Sequence, residues 1–257
     1  MTTRENEFGK KKQICTLLKG IETGDPEAAE VVNEAKYIQH NPLTREGSVG
    51  LAELFQRLAK TSPRVEIVRV FEDGDFVFAH TDYDFDVREV GFEVFRFEDD
   101  RVVEHWDNLQ GKPSHPNPSG HTMLDGPTEA TDLEKTEANR EMIRRFLEEV
   151  LVEGEWARLD AYVDAESYTE HNPEMSDGRE SLQATLSANA KGRKYEKVHR
   201  LLAEGSFVLS VTEGFLVEAH VSFYDLFHIV DGKIVEHWDT VDHVPPRSEW
   251  VNDNGKF

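Results

Sequence analysis

The motif Tyr-Ile-Gln-His-Asn-Pro at residues 37–42 returns as Tyr-Thr-Glu-His-Asn-Pro at residues 168–173, and Glu-His-Trp-Asp at residues 104–107 returns unchanged at residues 236–239. Between positions 37 and 82 a constant shift of 131 residues needs no gap, and 13 of those 46 positions are identical. Chance would match about three positions at ordinary amino-acid usage. The repeat predicts two copies of one domain, and copies of this length indicate a domain duplication rather than a solenoid.

The composition limits the class of protein. Acidic residues outnumber basic ones by 51 to 29 and the net charge is −22, so neither nucleic acid nor an anionic membrane is an expected partner. A single cysteine, Cys15, excludes an internal disulfide. The polar residues 1–12 lack the apolar stretch of a secretion signal, and no apolar run approaches the ~20 residues that span a bilayer. We therefore expect a cytoplasmic protein.

The local patterns of copy two predict helices followed by strands. The helices are expected near residues 143–151, 156–163 and 178–190. The strands are expected at residues 198–202, 207–211, 222–230 and 233–241. Asp231-Gly232 separates the last two strands as a hairpin turn, and copy one repeats the order with turns at Asp73-Gly74 and Asp99-Asp100. The fold class predicted is α+β.

The long strands carry apolar residues on both faces, as Phe223 and Phe227 on one face and Tyr224 and Leu226 on the other illustrate. A sheet buried on both faces needs two covers. The helices of the same copy can supply one. For the other we expect intramolecular pairing of the copies through their outer sheet faces, as a pseudo-dimer burying more than ~1,000 Å². A further homo-oligomer stays open.

A boundary between the copies is expected in the stretch of residues 108–134, which is rich in Pro, Gly, Ser and Asn. We place it near Gly126. The predicted domains are residues 1–126 and residues 127–257.

These motifs resemble the SnoaL-like branch of the NTF2-like superfamily. The resemblance rests on Tyr-x-x-His-Asn-Pro and on Asp-Gly-Lys-Ile-Val-Glu-His-Trp-Asp at residues 231–239, and it extends over both copies. It implies two tandem cone-shaped α+β barrels, each with N-terminal helices packed on a curved antiparallel sheet. It also implies a small apolar molecule in the cone and cofactor-free acid/base chemistry, such as aldol cyclisation or isomerisation, although a fold alone does not fix function.

The resemblance also assigns candidate catalytic residues. The cyclase base resembles an aspartate four residues after the strand's Trp, which is Asp242 in copy two but Gln110 in copy one. The family's second pocket group is a histidine on the preceding strand, where copy two has His228 and copy one has Arg96. Because glutamine cannot accept a proton at neutral pH, copy two is expected to hold the more reactive pocket.

Further candidates follow from residue type and position. His40 and His171 stand beside Asn-Pro, either as pocket donors or as turn histidines bonded to nearby backbone. Asp225, like Glu93 in copy one, interrupts an apolar strand face, so it must be paired, protonated or directed into a cavity.

The duplicated Glu-His-Trp-Asp motif supplies the last candidates. His105 and Asp107 share one strand face, as do His237 and Asp239. Each His-Asp pair is either a catalytic dyad or a structural lock between the copies.

No cofactor is expected, since the sequence has neither a glycine-rich phosphate loop nor a Gly-x-Ser-x-Gly elbow. No metal is expected either, because no histidine pair has zinc-like spacing near an acid. His40, His80 and His105 could converge in copy one, but copy two has Val211 in place of His80.

The leading hypothesis is a SnoaL-like enzyme in which Asp242 is the base and His171, His228 and Asp225 are its partners. The alternative is a non-catalytic protein whose cones hold a small apolar ligand, or a purely structural pseudo-dimer.

Overall fold

The computed structural model describes residues 9–189 and 192–257, so most of the segment on which the absence of a secretion signal was predicted lies outside the described residues. The chain forms two compact units. Unit 1 combines Met1–Gly111 with Pro245–Phe257 and contains copy one, and unit 2 spans Lys112–Val244 and contains copy two. None of the described helices is long and apolar enough to cross a membrane.

Unit 1 begins with helices and ends in a meander of strands. Its helices are α1 (Lys10–Thr23) and α2 (Gly47–Leu58), with 3-10 turns at Pro26–Val31 and Ala59–Thr61. Its strands are β1 (Ile38–Gln39), β2 (Arg64–Asp73), β3 (Phe76–Asp84), β4 (Arg88–Glu98) and β5 (Arg101–Gly111).

Unit 2 repeats this order. Its helices are α3 (Thr136–Phe146), which continues as a π turn over Leu147–Val152, α4 (Leu159–Tyr162) and α5 (Arg179–Asn189), with 3-10 turns at Leu133–Lys135 and Trp156–Arg158. Its strands are β6 (Thr169–Glu170), β7 (Arg193–Glu204), β8 (Phe207–Leu216), β9 (Ala219–Val230) and β10 (Lys233–His243). A final 3-10 turn, Arg247–Glu249, lies in the C-terminal segment that belongs to unit 1.

The two sheets have the same topology. Their strand orders are β1-β5-β4-β3-β2 and β6-β10-β9-β8-β7. The four long strands of each sheet pair antiparallel, whereas the two-residue strands β1 and β6 pair parallel to β5 and β10. The predicted α+β class and the duplication are confirmed. The pairing of the two copies stays a prediction.

The Tyr-x-x-His-Asn-Pro motif forms the short parallel strand and its end. The His171 backbone N–H donates to the His237 carbonyl at 2.9 Å, and the equivalent bond from His40 to His105 has the same length. The next asparagine starts a turn, because the Asn172 side-chain oxygen accepts from the Glu174 N–H at 2.9 Å. The proline that follows has no N–H, so the ladder stops there.

Alternation along β9 and β10 defines an inner and an outer face of the second sheet. The inner face carries Phe223 and Phe227, which lie in the core cluster with Phe146 and Leu182 from the helices. Because Phe227 pairs with His237 and Asp225 with Asp239, these polar residues share that inner face. The polar candidates of the inner face therefore point toward the core of their own unit.

The unit boundary differs from the predicted position near Gly126. The segment after Gly111 belongs to unit 2 because it bonds to copy two: the Asn117 amide donates to the Glu170 carbonyl at 2.7 Å. The C-terminal segment belongs to unit 1 in the same way, since the Asn252 amide donates to the Asn41 carbonyl at 2.8 Å. Each of these segments is thus bonded to its unit by a side-chain amide that donates to a backbone carbonyl. The composition of the sequence did not indicate these two hydrogen bonds.

The β4–β5 and β9–β10 turns offer a test of local strain. Both have two residues at positive φ, with values of 50° and 60° at Asp99 and Asp100 and of 49° and 75° at Asp231 and Gly232. This is the backbone of a type I′ turn, in which glycine relieves the strain of the second position. We expect Asp100→Gly to raise the free energy of unfolding by about 1 kcal/mol in urea titrations.

Gly232→Asp, which gives copy two the turn sequence of copy one, is the matched control and is expected to lower the free energy of unfolding by a similar amount. A loss of stability from Asp100→Gly would show that this aspartate makes a contact worth more than the relief of strain.

Candidate active site in copy two

A cavity lies between the helices and the inner sheet face of unit 2, and we call it the copy-two cavity. It contains about 610 Å³ free of protein atoms, counted together with its opening to solvent. Most of its wall is apolar, with Phe146, Trp156, Leu182 and Phe227 among the lining side chains. Its polar lining consists of Tyr168, Thr185, Arg193, Tyr195, Asp225 and His237. A mostly apolar pocket with a few convergent polar groups is typical of a small-molecule site.

His237 lies between two buried carboxylates. Its Nδ1 is 2.9 Å from Glu170 Oε1, and its Nε2 is 3.1 Å from Asp225 Oδ1. Burial alone would lower the pKa of His237, but the Glu170 and Asp225 carboxylates outweigh it and raise that pKa well above its usual value. Both ring nitrogens face acceptors, so the geometry fits a doubly protonated imidazolium.

Glu170 is fully buried and accepts hydrogen bonds on both oxygens. The backbone N–H groups of His171 and Asn172 donate to Oε1 at 3.0 and 2.9 Å, and the Tyr168 hydroxyl donates to Oε2 at 2.6 Å. Together with His237 these donors satisfy a carboxylate that has left water, which would otherwise be costly. The short parallel strand of copy two therefore also holds a buried carboxylate.

A second ion pair lies next to this triad on the inner face. Arg193 Nη2 is 2.7 Å from Asp239 Oδ2, and the Asn172 amide donates to both Asp239 oxygens at 2.7 and 2.9 Å. Burial disfavours the Asp239 carboxylate, yet Arg193 and His237 outweigh that effect and lower its pKa. The Arg193 guanidinium also lies over the Phe223 ring, 4.8 Å from its centroid.

Copy one has the same framework with different charges. His105 Nε2 is 2.6 Å from Glu93 Oε2, as His237 is close to Asp225, but its Nδ1 faces the Gln39 amide oxygen at 3.1 Å instead of a carboxylate. Burial opposes the charge of His105, and Glu93 overcomes it and raises its pKa. Asp107 pairs with Lys256 Nζ at 3.4 Å, from the C-terminal segment.

The copies supply an equivalent hydroxyl from different strands. In copy two Tyr195 on β7 donates to Asp225 Oδ1 at 3.2 Å, and its ladder partner on β8 is Gly214. In copy one the tyrosine is on the neighbouring strand, where Tyr83 on β3 donates to Glu93 Oε1 at 2.7 Å. A tyrosine on either strand can reach the carboxylate. Both copies therefore have a tyrosine hydroxyl at this carboxylate, although the tyrosines lie on different strands.

The structure brings together three of the predicted site residues, His237, Asp225 and Asp239, but the histidine and the aspartate that were considered as a possible dyad do not bond to each other. His237 bonds to Glu170 and Asp225, while Asp239 bonds to Asn172 and Arg193. In copy one, His105 and Asp107 likewise have separate partners. The prediction that the histidine and the aspartate share one strand face was correct. Their charged hydrogen-bond partners, however, come from other strands of the sheet.

His171 and His228 occupy the outer face and do not reach the copy-two cavity. Both contact the same carboxylate, with His171 Nε2 3.1 Å from Glu236 Oε2 and His228 Nδ1 3.3 Å from Glu236 Oε1. Burial raises the pKa of Glu236, but the two imidazoles outweigh it and lower the pKa to about 2. His171 also stacks on Trp238, with ring centroids 4.5 Å apart. Their predicted part in the pocket is therefore corrected.

His40 in copy one repeats the outer-face arrangement. It stacks on Trp106 with centroids 4.5 Å apart, and its Nε2 is 2.9 Å from Glu104, which also pairs with Arg96 at 2.6 Å. Its Nδ1 faces the Gly255 carbonyl at 2.9 Å. Of the two roles predicted for this histidine, the backbone-bonded one agrees with these contacts.

The position of Asp242 does not fit the role of a cavity base. The bulge in the β9–β10 ladder falls between Ile234 and Glu236, and the register then continues without interruption to His243. Regular alternation therefore places Asp242 on the outer face with Trp238, opposite His237 and Asp239. Among the described residues, Asp225 is the carboxylate that lines the cavity.

The three histidines proposed to converge in copy one lie on different faces. His105 points to the inner face beside Glu93, whereas His40 stacks on Trp106 and His80 stacks on Phe92 on the outer face. Two other groups have donor atoms within 4.8 Å of one another and could hold a metal ion, namely Glu93, His105 and Asp107, and His121, Asp125 and His171. Both nitrogens of His105 and of His171, and Nε2 of His121, already face protein acceptors.

The sequence reasoning missed Arg193 and Tyr195 as cavity-lining residues and Glu170 as the carboxylate behind His237. A signal for Glu170 was available, because it replaces Gln39 within the repeated motif and stands two residues from Tyr168, on the same strand face. Arg193 reaches Asp239 across 46 residues of sequence, and no local pattern indicates such a pair.

Lys256 offers a test of the copy-one ion pair. Its side chain is 2 % exposed beside the buried Asp107, so Lys256→Met leaves a carboxylate without its cation. We expect a loss of about 3 kcal/mol in the free energy of unfolding, measured by urea titration. Arg247→Met in the same segment removes an exposed pair with Asp253 and is expected to change little. Equal effects of the two changes would contradict the assignment.

His237 makes stability depend on pH with a definite sign. Its pKa is raised on folding, so its charge stabilises the folded state fully below the unfolded pKa of about 6.5, and this stabilisation is lost as pH rises through the folded pKa. We expect the difference in unfolding free energy between the wild type and His237→Gln to be largest below about pH 6 and to shrink at alkaline pH. A difference that grows with pH would show that the histidine is buried in its neutral form.

Comparisons with known proteins found a matching family model and several similar solved structures. Residues 16–105 match the family model described as a SnoaL-like domain. No curated protein matches the sequence closely enough to be called a relative. Among solved structures, an LEH-like epoxide hydrolase from M. tuberculosis is similar at 23% identity and a TM-score of 0.36, covering 42% of this chain and 85% of its own.

Two further structures are similar to a comparable extent. TsrD from Streptomyces laurentii has 17% identity and a TM-score of 0.36, covering 43% of this chain and 92% of its own. An NTF2-like protein of unknown function from Cytophaga hutchinsonii has 16% identity and a TM-score of 0.35, covering 43% and 95%. The family match lies in copy one, and copy two shares with copy one the strand order, the strand register and the repeated motifs.

Proposed function

We propose that copy two is a small-molecule enzyme that performs cofactor-free acid/base chemistry on a carbonyl compound, as an isomerisation or an aldol-type cyclisation. The observation that carries the proposal is a buried carboxylate, Asp225, that lines an apolar cavity and is backed by a charged histidine. A protein that only held an apolar ligand would need neither group, since buried charges are costly without a role.

Asp225 is the proposed base. Its Oδ1 accepts from Tyr195 and His237, whereas the contact of its Oδ2 among the described residues is a long one of 3.5 Å with Ser210 Oγ. Oδ2 therefore retains an acceptor position for a substrate proton. A carboxylate base acting in an apolar cavity is surrounded by little water that could solvate it.

Arg193 is the proposed stabiliser of the developing oxyanion. It lines the cavity, and its Nε is buried with no hydrogen-bond partner among the described residues. A buried N–H without an acceptor is costly, and a substrate oxygen would satisfy it. Since the guanidinium is held by Asp239 at its Nη2, the Nε–H donor is oriented before the reaction starts.

The reaction proceeds by transfer of one proton. Asp225 removes a proton from the carbon next to the carbonyl, and the electron pair of the C–H bond moves to the carbonyl oxygen to give an enolate beside Arg193. In an isomerisation, Asp225 returns the proton to another carbon. In a cyclisation, the enolate carbon bonds to a second carbonyl carbon, and Asp225 gives its proton to the new alkoxide.

Glu170 and His237 hold the base in place during this transfer. When Asp225 gains a proton it loses its charge, but the His237 imidazolium still has the Glu170 carboxylate at 2.9 Å. The cation therefore keeps a partner in both protonation states of Asp225. Both residues act on the reaction through Asp225 and are positioning residues.

Kemp elimination of nitrobenzisoxazole tests the base without knowledge of the natural substrate. In this reaction a carboxylate removes a carbon-bound proton and the ring opens to a coloured phenolate, which absorbance follows. We expect the full chain to accelerate the reaction above free acetate, and Asp225→Asn to lose about 10²–10⁴-fold in rate. Retained folding of the variant is checked by its thermal unfolding.

Two matched variants act as controls. Glu93→Gln removes the equivalent carboxylate of copy one, and Asp242→Asn removes the outer-face carboxylate four residues after Trp238. Both are expected to cost far less than Asp225→Asn. A large loss from Asp242→Asn with little from Asp225→Asn would show that the base lies on the outer face and would sink the proposal.

A further inference from the structure

The ionisable groups of the copy-two cavity do not balance in charge. Among the described residues that line it or bond to its lining, three carboxylates face two cations. Asp239 is neutralised by Arg193, while Glu170 and Asp225 share the single positive charge of His237. With these groups ionised, one negative charge is left over in a region of low dielectric.

Copy one gives an internal reference in which the charges balance. Its carboxylates Glu93 and Asp107 face His105 and Lys256, and the position of Glu170 is taken by the neutral Gln39. The framework is the same, and the ladder pairs Asp107 with Glu93 as it pairs Asp239 with Asp225. The surplus charge of copy two therefore arises at one position, Glu170.

The hydrogen-bonding groups that remain available call for a particular ligand. Arg193 Nε offers a donor, and Asp225 Oδ2 retains an acceptor position. A carbonyl oxygen matches the first and an acidic C–H or O–H group matches the second. Most of the rest of the wall, including Phe146, Trp156 and Leu182, is apolar.

We propose that the copy-two cavity binds uncharged hydrophobic carbonyl compounds and rejects carboxylates of the same shape, with Glu170 as the residue that sets this selectivity. The proposal rests on the site of the proposed function. A carboxylate ligand would add a second uncompensated charge beside Asp225, and Coulomb repulsion in the interior is far stronger than in water. An ammonium ligand would lie against the Arg193 guanidinium, whose charge is already paired with Asp239.

Three naphthalene probes substituted at the same carbon separate these possibilities. They are acetylnaphthalene, which is neutral, naphthoate, which is anionic, and naphthylmethylammonium, which is cationic. Equilibrium dialysis against the full chain measures each dissociation constant. We expect acetylnaphthalene to bind at least about tenfold more tightly than naphthoate. Equal affinities for these two, or tightest binding of the ammonium, would overturn the proposal.

Glu170→Gln tests the residue itself, and copy one shows that glutamine fits this framework. There Gln39 Oε1 accepts from the Asn41 N–H at 2.9 Å and faces His105 Nδ1, while its amide donates toward the Tyr37 hydroxyl. Glu170→Gln is expected to tighten naphthoate binding at least about tenfold while changing acetylnaphthalene binding less than threefold. Glu218→Gln, which removes an exposed charge in the β8–β9 turn, is expected to change neither.

Thermal unfolding accompanies each variant, and Asp225→Asn provides a second route to the same charge change if Glu170→Gln does not fold. Naphthoate binding that is unchanged in a folded variant of either kind would overturn the proposal. The binding measurement needs no turnover, so its outcome is separate from the Kemp assay. A lack of elimination with the expected order of affinities would refute the enzyme and leave the selectivity standing.

Discussion

A buried histidine can stay protonated only if carboxylates compensate its charge, and the position of His237 between Glu170 and Asp225 organises the inner face of copy two. Two different strand pairings bring the two carboxylates to His237. The parallel pairing of β6 with β10 places Glu170 directly beside His237. The antiparallel pairing of β9 with β10 places Asp225 two residues along β9 from Phe227, the ladder partner of His237. The donors around them, such as the Tyr168 hydroxyl, satisfy the carboxylates in turn. The cluster thus links the short strand to the long ones.

The two copies show which features of this arrangement are constrained. In each copy a tyrosine hydroxyl donates to the inner-face carboxylate beside the histidine, which is Asp225 in copy two and Glu93 in copy one. The two tyrosines, Tyr195 and Tyr83, nevertheless come from neighbouring strands. In each copy a cation pairs with the aspartate of the Glu-His-Trp-Asp motif, Asp239 or Asp107. The cation of copy two is Arg193 at the start of β7, whereas that of copy one is Lys256 from the C-terminal segment. Since the chemical group recurs while its origin changes, the hydrogen-bonding and charge requirements of the buried acids have been retained, and the sequence positions that meet them have not.

Much of the fold followed from local patterns. The repeat, the α+β order and the hairpin turns could be predicted because they depend on residues close in sequence, and Asp225 was already conspicuous as an acid on an apolar strand face. The outer-face position of Asp242 could not be derived from the sequence, because a bulge between Trp238 and Asp242 would have reversed it. The observed bulge lies before Glu236 and leaves the alternation from Trp238 to Asp242 intact. Lys256 and Asp107 are separated by 149 residues, so their pairing depends on tertiary structure alone.

The difference between Gln39 and Glu170 gives the duplication a physical consequence. In copy one a proton taken up by Glu93 would leave two cations facing one carboxylate, whereas in copy two a proton taken up by Asp225 leaves the charges equal. In the proposed enolate formation, the negative charge of Asp225 would move to the substrate oxygen beside Arg193, so the total charge in the cavity would not change. Under the proposed mechanism, the surplus carboxylate that would repel an anionic ligand is also the group that leaves acids and cations equal in number once Asp225 has taken up the substrate proton.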